Sequence, residues 1–186
     1  MSILPVTVLG DTILRKKSEK IEEVDGELIQ LIKDMFETMR NASGVGLAAN
    51  QVAVNKSLFV VDLSPVKGYE SYKPMIFINP KIVAFSRDKN IIEEGCLSLP
   101  SLRVDVERPE RVKIEFQDLD LKKQSIEADE FLARVIQHEY DHTKGVLFID
   151  KISEDQLAEI KDELKLIKNR KTEVDYPITR KKVKIK

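Results

Sequence analysis

The sequence predicts an α+β fold, with small antiparallel or mixed sheets packed around a central helix that carries His138-Glu139-Tyr140-Asp141-His142, and further helices on its N-terminal and C-terminal sides. Three observations predict it. Apolar residues at helical spacing occur early and late in the chain, β-type runs fall between them, and strands do not alternate with helices as a doubly wound sheet requires. The 186 residues suit one domain, because punctuation falls between short elements and not at a single boundary. Residues 1–170 read as that domain and 171–186 as a tail with six basic and two acidic side chains.

The first helix follows Asp25 as N-cap, since Leu28, Leu31, Ile32, Met35, Phe36 and Met39 recur on one helical face up to about Asn41. Beyond Gly44 and Gly46, the runs Leu58 to Val61, Met75 to Ile78 and Ile82 to Phe85, and the alternating Val112, Ile114 and Phe116, predict strands. Asn79 and Pro80 predict a turn between the second and third of these. Asp129 opens a second helix with Phe131, Leu132, Val135 and Ile136 in period, and Gly145 is placed to end it. Ser153 and Gln156 form a capping-box pattern for a third helix, with Leu157, Ile160, Leu164 and Ile167 on one face.

At 42% hydrophobic and 34% charged residues, the composition excludes a disordered chain. No apolar run reaches the ~18 residues of a membrane span. A net charge of -1 favours neither nucleic acid nor acidic partners globally. The single cysteine excludes an internal disulfide, and Met1 to Leu9 lack the pattern of an export leader, so the expected location is the cytoplasm.

The chemistry concentrates at HEYDH. Two histidines four residues apart share one helix face, close enough to bind one cation, and they are the only two in the chain. A carboxylate beside the first of them, Glu139, can accept a proton from water. The plainer reading is a helix surface with a histidine pair. A catalytic metal needs a third protein ligand, here Cys96 or a carboxylate. A metzincin continuation fails because Phe148 stands where its third histidine belongs, whereas Glu154, Glu159 or Glu163 would give a thermolysin-like set. Cys96 lies in Glu94-Gly95-Cys96-Leu97-Ser98, where the glycine permits close backbone approach and Pro100 is expected to end an extended segment; a lone cysteine is otherwise a small buried hydrophobe. In Gly44-Val45-Gly46-Leu47-Ala48-Ala49-Asn50-Gln51, the glycines could present backbone to an extended peptide and Gln51 could donate to an oxyanion. The plainer reading there is a turn entering a buried element.

Together GVGLAANQ (44–51), EGCLS (94–98) and QHEYDH (137–142), in this order and separation, resemble the three motifs of the peptide deformylase family. The opening ILPVTVLGDTILRKKSEKI and the later VLFIDKIS are similar to that family too, so the likeness covers nearly the whole chain. It implies Cys96, His138 and His142 as ligands of one divalent metal, Fe(II) in the cell, with zinc, nickel or cobalt able to take the same site. It also implies Glu139 as general acid/base, and Gln51 and the Leu97 N–H as oxyanion donors. The implied activity removes the formyl group from the N-terminal formylmethionine of newly made bacterial or organellar proteins, releasing formate. Gly44, Val45, Gly46, Glu94 and Gly95 would present backbone to the peptide, and an apolar pocket near Val45, Val135 and His138 would take the methionine side chain.

Arg103 and Arg108 match positions that the family tends to keep as arginine, and would steady the loop around Cys96 by pairing with carboxylates such as Glu94. The chain departs from the family pattern at Ala53, usually glycine, and Thr143, usually leucine, which bear on local backbone geometry and on packing beneath the helix. Relatives with a helical C-terminus can dock on the ribosome near the exit tunnel, a role open to Arg180, Lys181, Lys182, Lys184 and Lys186. The rival readings are a thermolysin-like zinc endopeptidase and a non-catalytic peptide-binding domain.

Overall fold

The computed structural model describes residues 2–180; the basic positions Lys181, Lys182, Lys184 and Lys186 lie outside the described residues. Helix α1 (Gly26–Asn41) starts where the Asp25 carboxylate accepts the Leu28 N–H at 2.7 Å, and it buries Leu28, Ile32, Met35 and Met39. A five-stranded antiparallel sheet follows, with the order β1 (Gly46–Ala48), β2 (Leu58–Val61), β3 (Met75–Phe85), β6 (Val112–Gln117), β7 (Lys123–Ala128). Strands β4 (Lys89–Cys96) and β5 (Leu99–Pro109) form a separate hairpin. The second helix, α2, spans Glu130–Thr143. The fold is α+β with antiparallel pairing throughout the named strands.

Helices α1 and α2 cover opposite faces of the sheet, which explains the unbroken apolar run of β2. Leu58 and Val60 join Ile78 and the α1 side chains in one cluster. Phe59 and Val61 join Phe77, Val112, Ile114 and the α2 residues Leu132, Ala133, Val135 and Ile136 in another. A strand covered on both faces has no polar alternation to display. On β6 the alternate residues Lys113 and Glu115 are exposed, so the simple period of two survives there.

Four expectations need correction. The runs Met75 to Ile78 and Ile82 to Phe85 are one strand, β3. Asn79 takes φ 50° beside a register shift between Ile78 and Lys81, making a bulge where a turn was expected. Its amide accepts the Ile21 N–H and donates to the Ile21 carbonyl and to Gln117, which ties the N-terminal segment to the sheet. Pro100 lies near the start of β5, not at the end of an extended segment. The third helix is divided at Ile160 into α3 (Glu154–Glu159) and α4 (Lys161–Lys168). The Ser153–Gln156 capping box is present, but Leu157 is exposed while Ile160, Leu164 and Ile167 pack beneath the β4–β5 hairpin.

Strands β1, β4, β5 and β7 were not anticipated. Strand β5 carries a period-two signal in Leu102, Val104 and Val106, whereas β7 offers only Ile126 and Ala128 among polar residues. The terminal segments are tied to the body: the Thr7 N–H donates to the Gln51 carbonyl, the Leu9 N–H to the Ser98 carbonyl, and Val6 bridges Ile178. Among the described residues, no helix is long and apolar enough to cross a membrane.

Candidate active site

Helix α2 is buried on nearly every side because it lies between the sheet and the hairpin. Its apolar positions face the sheet, while Arg134, Gln137, His138, Glu139 and His142 are also withdrawn from solvent. The helix closes at Gly145, whose φ of 74° suits glycine, and a β-carbon there would stand 2.7 Å from the Arg15 carbonyl carbon.

The hairpin brings EGCLS to this helix. Its register shifts between Gly95 and Cys96, so that Cys96 pairs with Leu99 and Leu97-Ser98 forms the tip. There the Cys96 sulfur lies 3.2 Å from His142 Nε2. The ligand atoms of Cys96, His138 and His142 all lie within 4.8 Å of one another. One sulfur and two imidazole nitrogens at that separation fit a single tetrahedral-type cation with a fourth position left open. Glu154, Glu159 and Glu163 are exposed on α3 and α4, outside this group.

A buried ion cluster orients the group. Glu94 Oε2 lies 2.9 Å from His138 Nδ1, while the same carboxylate accepts from Arg108 Nε at 2.5 Å and Arg134 Nη1 at 2.8 Å. With Nδ1–H given to Glu94, the Nε2 lone pair of His138 is left for a cation. Burial would raise the Glu94 pKa, but the His138 and Arg108 hydrogen bonds and charges outweigh it and hold the carboxyl well below the usual range. Arg108 also reaches Asp141 at 2.6 Å. Burial, reinforced by His138 and Arg108, pushes His142 well below its ordinary value, which keeps that imidazole neutral. Asn50 Nδ2 donates to the His142 carbonyl at 2.6 Å.

Glu139 is buried, and its Oε2 has no hydrogen-bond partner within the protein. Burial pushes its carboxyl up to about 7, a value suited to both taking and giving a proton near neutral pH. Gln51, on the 3₁₀ turn Ala49–Val52, is fully buried and held at both ends. Its Oε1 accepts the Ala48 N–H at 2.8 Å, which turns its NH₂ toward Ser98 Oγ at 3.1 Å and Cys96 Sγ at 3.5 Å.

Gln51, Cys96, His138 and Glu139 line a cavity of about 440 Å³, shared with Gly44, Val45, Gly46, Glu94, Gly95, Leu97 and Val135. His142 and Arg108 do not line this cleft but adjoin it through Cys96 and Glu94. Arg103 is the exception to the expected pairing, because it is exposed and lies 3.6 Å from Glu93, not beside Glu94. At the two departures, Ala53 takes φ 65°, and the buried Thr143 satisfies its hydroxyl on the Tyr140 carbonyl at 2.7 Å.

Residues 3–158 match the polypeptide deformylase family. The chain belongs to that family. It is 44% identical over 178 residues to a peptide deformylase of Chlorobium phaeovibrioides, covering 96% of this chain and 93% of that one. It is 42% identical to one of Salinibacter ruber, covering 96% and 95%. A crystal structure of a peptide deformylase from Legionella pneumophila superposes with a TM-score of 0.81 at 36% identity, covering 90% and 96% of the two chains. One from Arabidopsis thaliana does so at 0.84 and 36%, covering 90% and 91%. The protein is thus an enzyme of protein synthesis, a hydrolase that removes the N-formyl group from newly made proteins.

Sequence reasoning missed four residues of this deformylase site: Asn50, Ser98, Arg134 and Tyr176. Arg134 stands one helical turn before His138, so an inward-facing charge on a buried helix was an available signal. Ser98 and Asn50 sit inside the quoted motifs, but their partners are distant in sequence. Nothing local marks Tyr176.

Proposed function

We propose that Cys96 from the β4–β5 hairpin and His138 and His142 from helix α2, at the centre of the fold, hold one divalent metal ion, and that Glu139, Gln51 and Leu97 carry out deformylation beside it. The convergence of the three ligand atoms within 4.8 Å next to the buried, unpartnered Glu139 carries this reading. When bound, the metal polarises the formyl oxygen and lowers the pKa of water. Glu139 Oε2 takes the proton of the attacking water and passes it to the leaving amine. The Leu97 N–H and Gln51 Nε2 donate to the oxygen that gains charge, and the amide of Gln51 needs no reorientation because Ala48 already fixes it. Formate and a free N-terminus leave. The donor set suits iron or zinc, and Fe(II) is the ion assigned in the cell, with zinc, nickel or cobalt able to replace it.

The formylmethionyl peptide enters as an extended strand between the backbone of Gly44 to Gly46 and that of Glu94 and Gly95, with methionine against Val45, Val135 and His138. Among the described residues β1 pairs only with β2, and β4 only with β5, so each offers a second edge. Arg108 steadies the cluster through Glu94, while Arg103 stands at the cavity mouth. We assign residues 1–170 to the catalytic domain and 171–186 to a basic C-terminal tail whose stretch around Pro177 to Thr179 folds back onto that domain, with the final helix and the basic end of the tail meeting ribosomal RNA near the exit tunnel, in a bacterial cytoplasm. Bacterial relatives support that setting.

Formate release from an N-formylmethionyl tripeptide, with metal assayed in the same anaerobic sample, tests the assignment. Glu139→Ala is expected to retain metal and lose nearly all turnover, and Cys96→Ser to lose or exchange the metal. Full activity in the first variant, or unchanged metal and rate in the second, overturns the corresponding role.

A further inference from the structure

Residues beyond the family match, which ends at 158, return to the active site. Tyr176 is half-buried, lines the catalytic cavity beside Leu97 and Pro100, and donates its hydroxyl to the Leu97 carbonyl at 2.8 Å. Burial raises the pKa of this phenol, so the hydroxyl stays a donor throughout the neutral range.

The segment that carries Tyr176 is firmly held. The Val6 N–H donates to the Pro177 carbonyl at 2.8 Å and the Thr179 N–H to the Val6 carbonyl at 2.9 Å. Arg170 spans from Asp11 at 2.6 Å to the Leu9 carbonyl at 3.0 Å. One layer further in, Thr7 and Leu9 hydrogen-bond the Gln51 and Ser98 carbonyls at 2.8 and 3.0 Å. The C-terminal strap thus lies on the N-terminal segment, which ties together the two loops that bear Gln51 and Leu97.

We propose that Tyr176 is a positioning residue for deformylation: its hydroxyl fixes the Leu97–Ser98 peptide at the hairpin tip, and its ring forms one wall of the peptide route. The hairpin tip is a two-residue turn whose Leu97 is only partly buried, so packing alone leaves its peptide planes free to tilt. Fixing the Leu97 carbonyl restricts the residue whose N–H faces the developing oxyanion. This inference rests on the proposed oxyanion role of Leu97.

The test compares Tyr176→Phe and Tyr176→Ala with the parent holoenzyme for kcat and KM on an N-formylmethionyl tripeptide, with metal content and Tm on the same samples. Glu139→Gln is run in parallel. Tyr176→Phe, which keeps the ring, is expected to lower kcat about 5-fold with KM and metal content unchanged, the loss of one positioning hydrogen bond. Tyr176→Ala is expected to show the same kcat loss and a raised KM. Parent values of kcat and KM in Tyr176→Phe overturn the proposal, as does a kcat loss that vanishes at temperatures well below Tm, because that would mark a purely structural bond. Full activity in Glu139→Gln would instead overturn the catalytic assignment itself.

Discussion

Gly46 of β1 and Glu139 of α2 approach so closely that a β-carbon on Gly46 would stand 2.8 Å from both Cγ and Cδ of Glu139. The absence of a side chain at Gly46 is therefore what lets the helix carry a carboxylate against the edge strand. Gly46→Ala is expected to displace that carboxylate and lower kcat about 10²-fold, the scale of a 1 Å misplacement at a reacting centre. Metal content should stay at the parent level, which metal analysis alongside the rate assay checks.

Gln51 is fixed through the Ala48 N–H, so its NH₂ is oriented before substrate arrives. Gln51→Ala is expected to reduce kcat about 10²- to 10³-fold, as for other oxyanion donors, with a much smaller change in KM. Steady-state kinetics on the formylated tripeptide reads the split; a raised KM with kcat unchanged would assign Gln51 to ground-state binding.

Glu94 stands between two buried arginines and His138, with its own side chain 4% exposed. Removing it leaves the buried Arg134 guanidinium without its carboxylate while Arg108 keeps Asp141, so Glu94→Ala is expected to cost about 3–5 kcal/mol of stability. Loss of the hydrogen bond that orients His138 should also weaken metal binding about 10- to 100-fold. Urea unfolding and competition with a chelator measure the two effects separately.

Ala53 holds φ 65° in an exposed turn, a left-handed conformation that a β-carbon disfavours. Ala53→Gly removes that penalty and loses no packing, although glycine also gains freedom in the unfolded chain. The expected net gain is about 0.5–1 kcal/mol, seen as a raised urea midpoint with unchanged kcat. A lowered midpoint would mean that the strain is relieved elsewhere.

The HEYDH pair was legible because four residues on a helix place two side chains on one face whatever surrounds them. The α1 boundaries were legible for a similar reason, since Asp25 and the period of Leu28 to Met39 act within one helix. Strands β4, β5 and β7 were less so, because their exposed faces are charged and their pairing partners are set by hairpin geometry. The bulge at Asn79 looked like a turn, since the same residue types serve both, and only the bonds to Ile21 and Gln117 decide between them.

The sequence by itself determined the local periodicities, the helix caps at Asp25 and Ser153, and three motifs rich enough to name a family. Those signals depend on neighbours within a turn or two of chain. The family likeness already implied Cys96 and the Arg108–Glu94 pair, and the structure brings Cys96, not a glutamate of α3 or α4, beside His138 and His142; tertiary structure alone decided that Arg134 joins Arg108 on Glu94 and that Tyr176 reaches Leu97. Each of the last three contacts spans 14 to 79 positions, and such contacts arise only when separate elements dock on a common core.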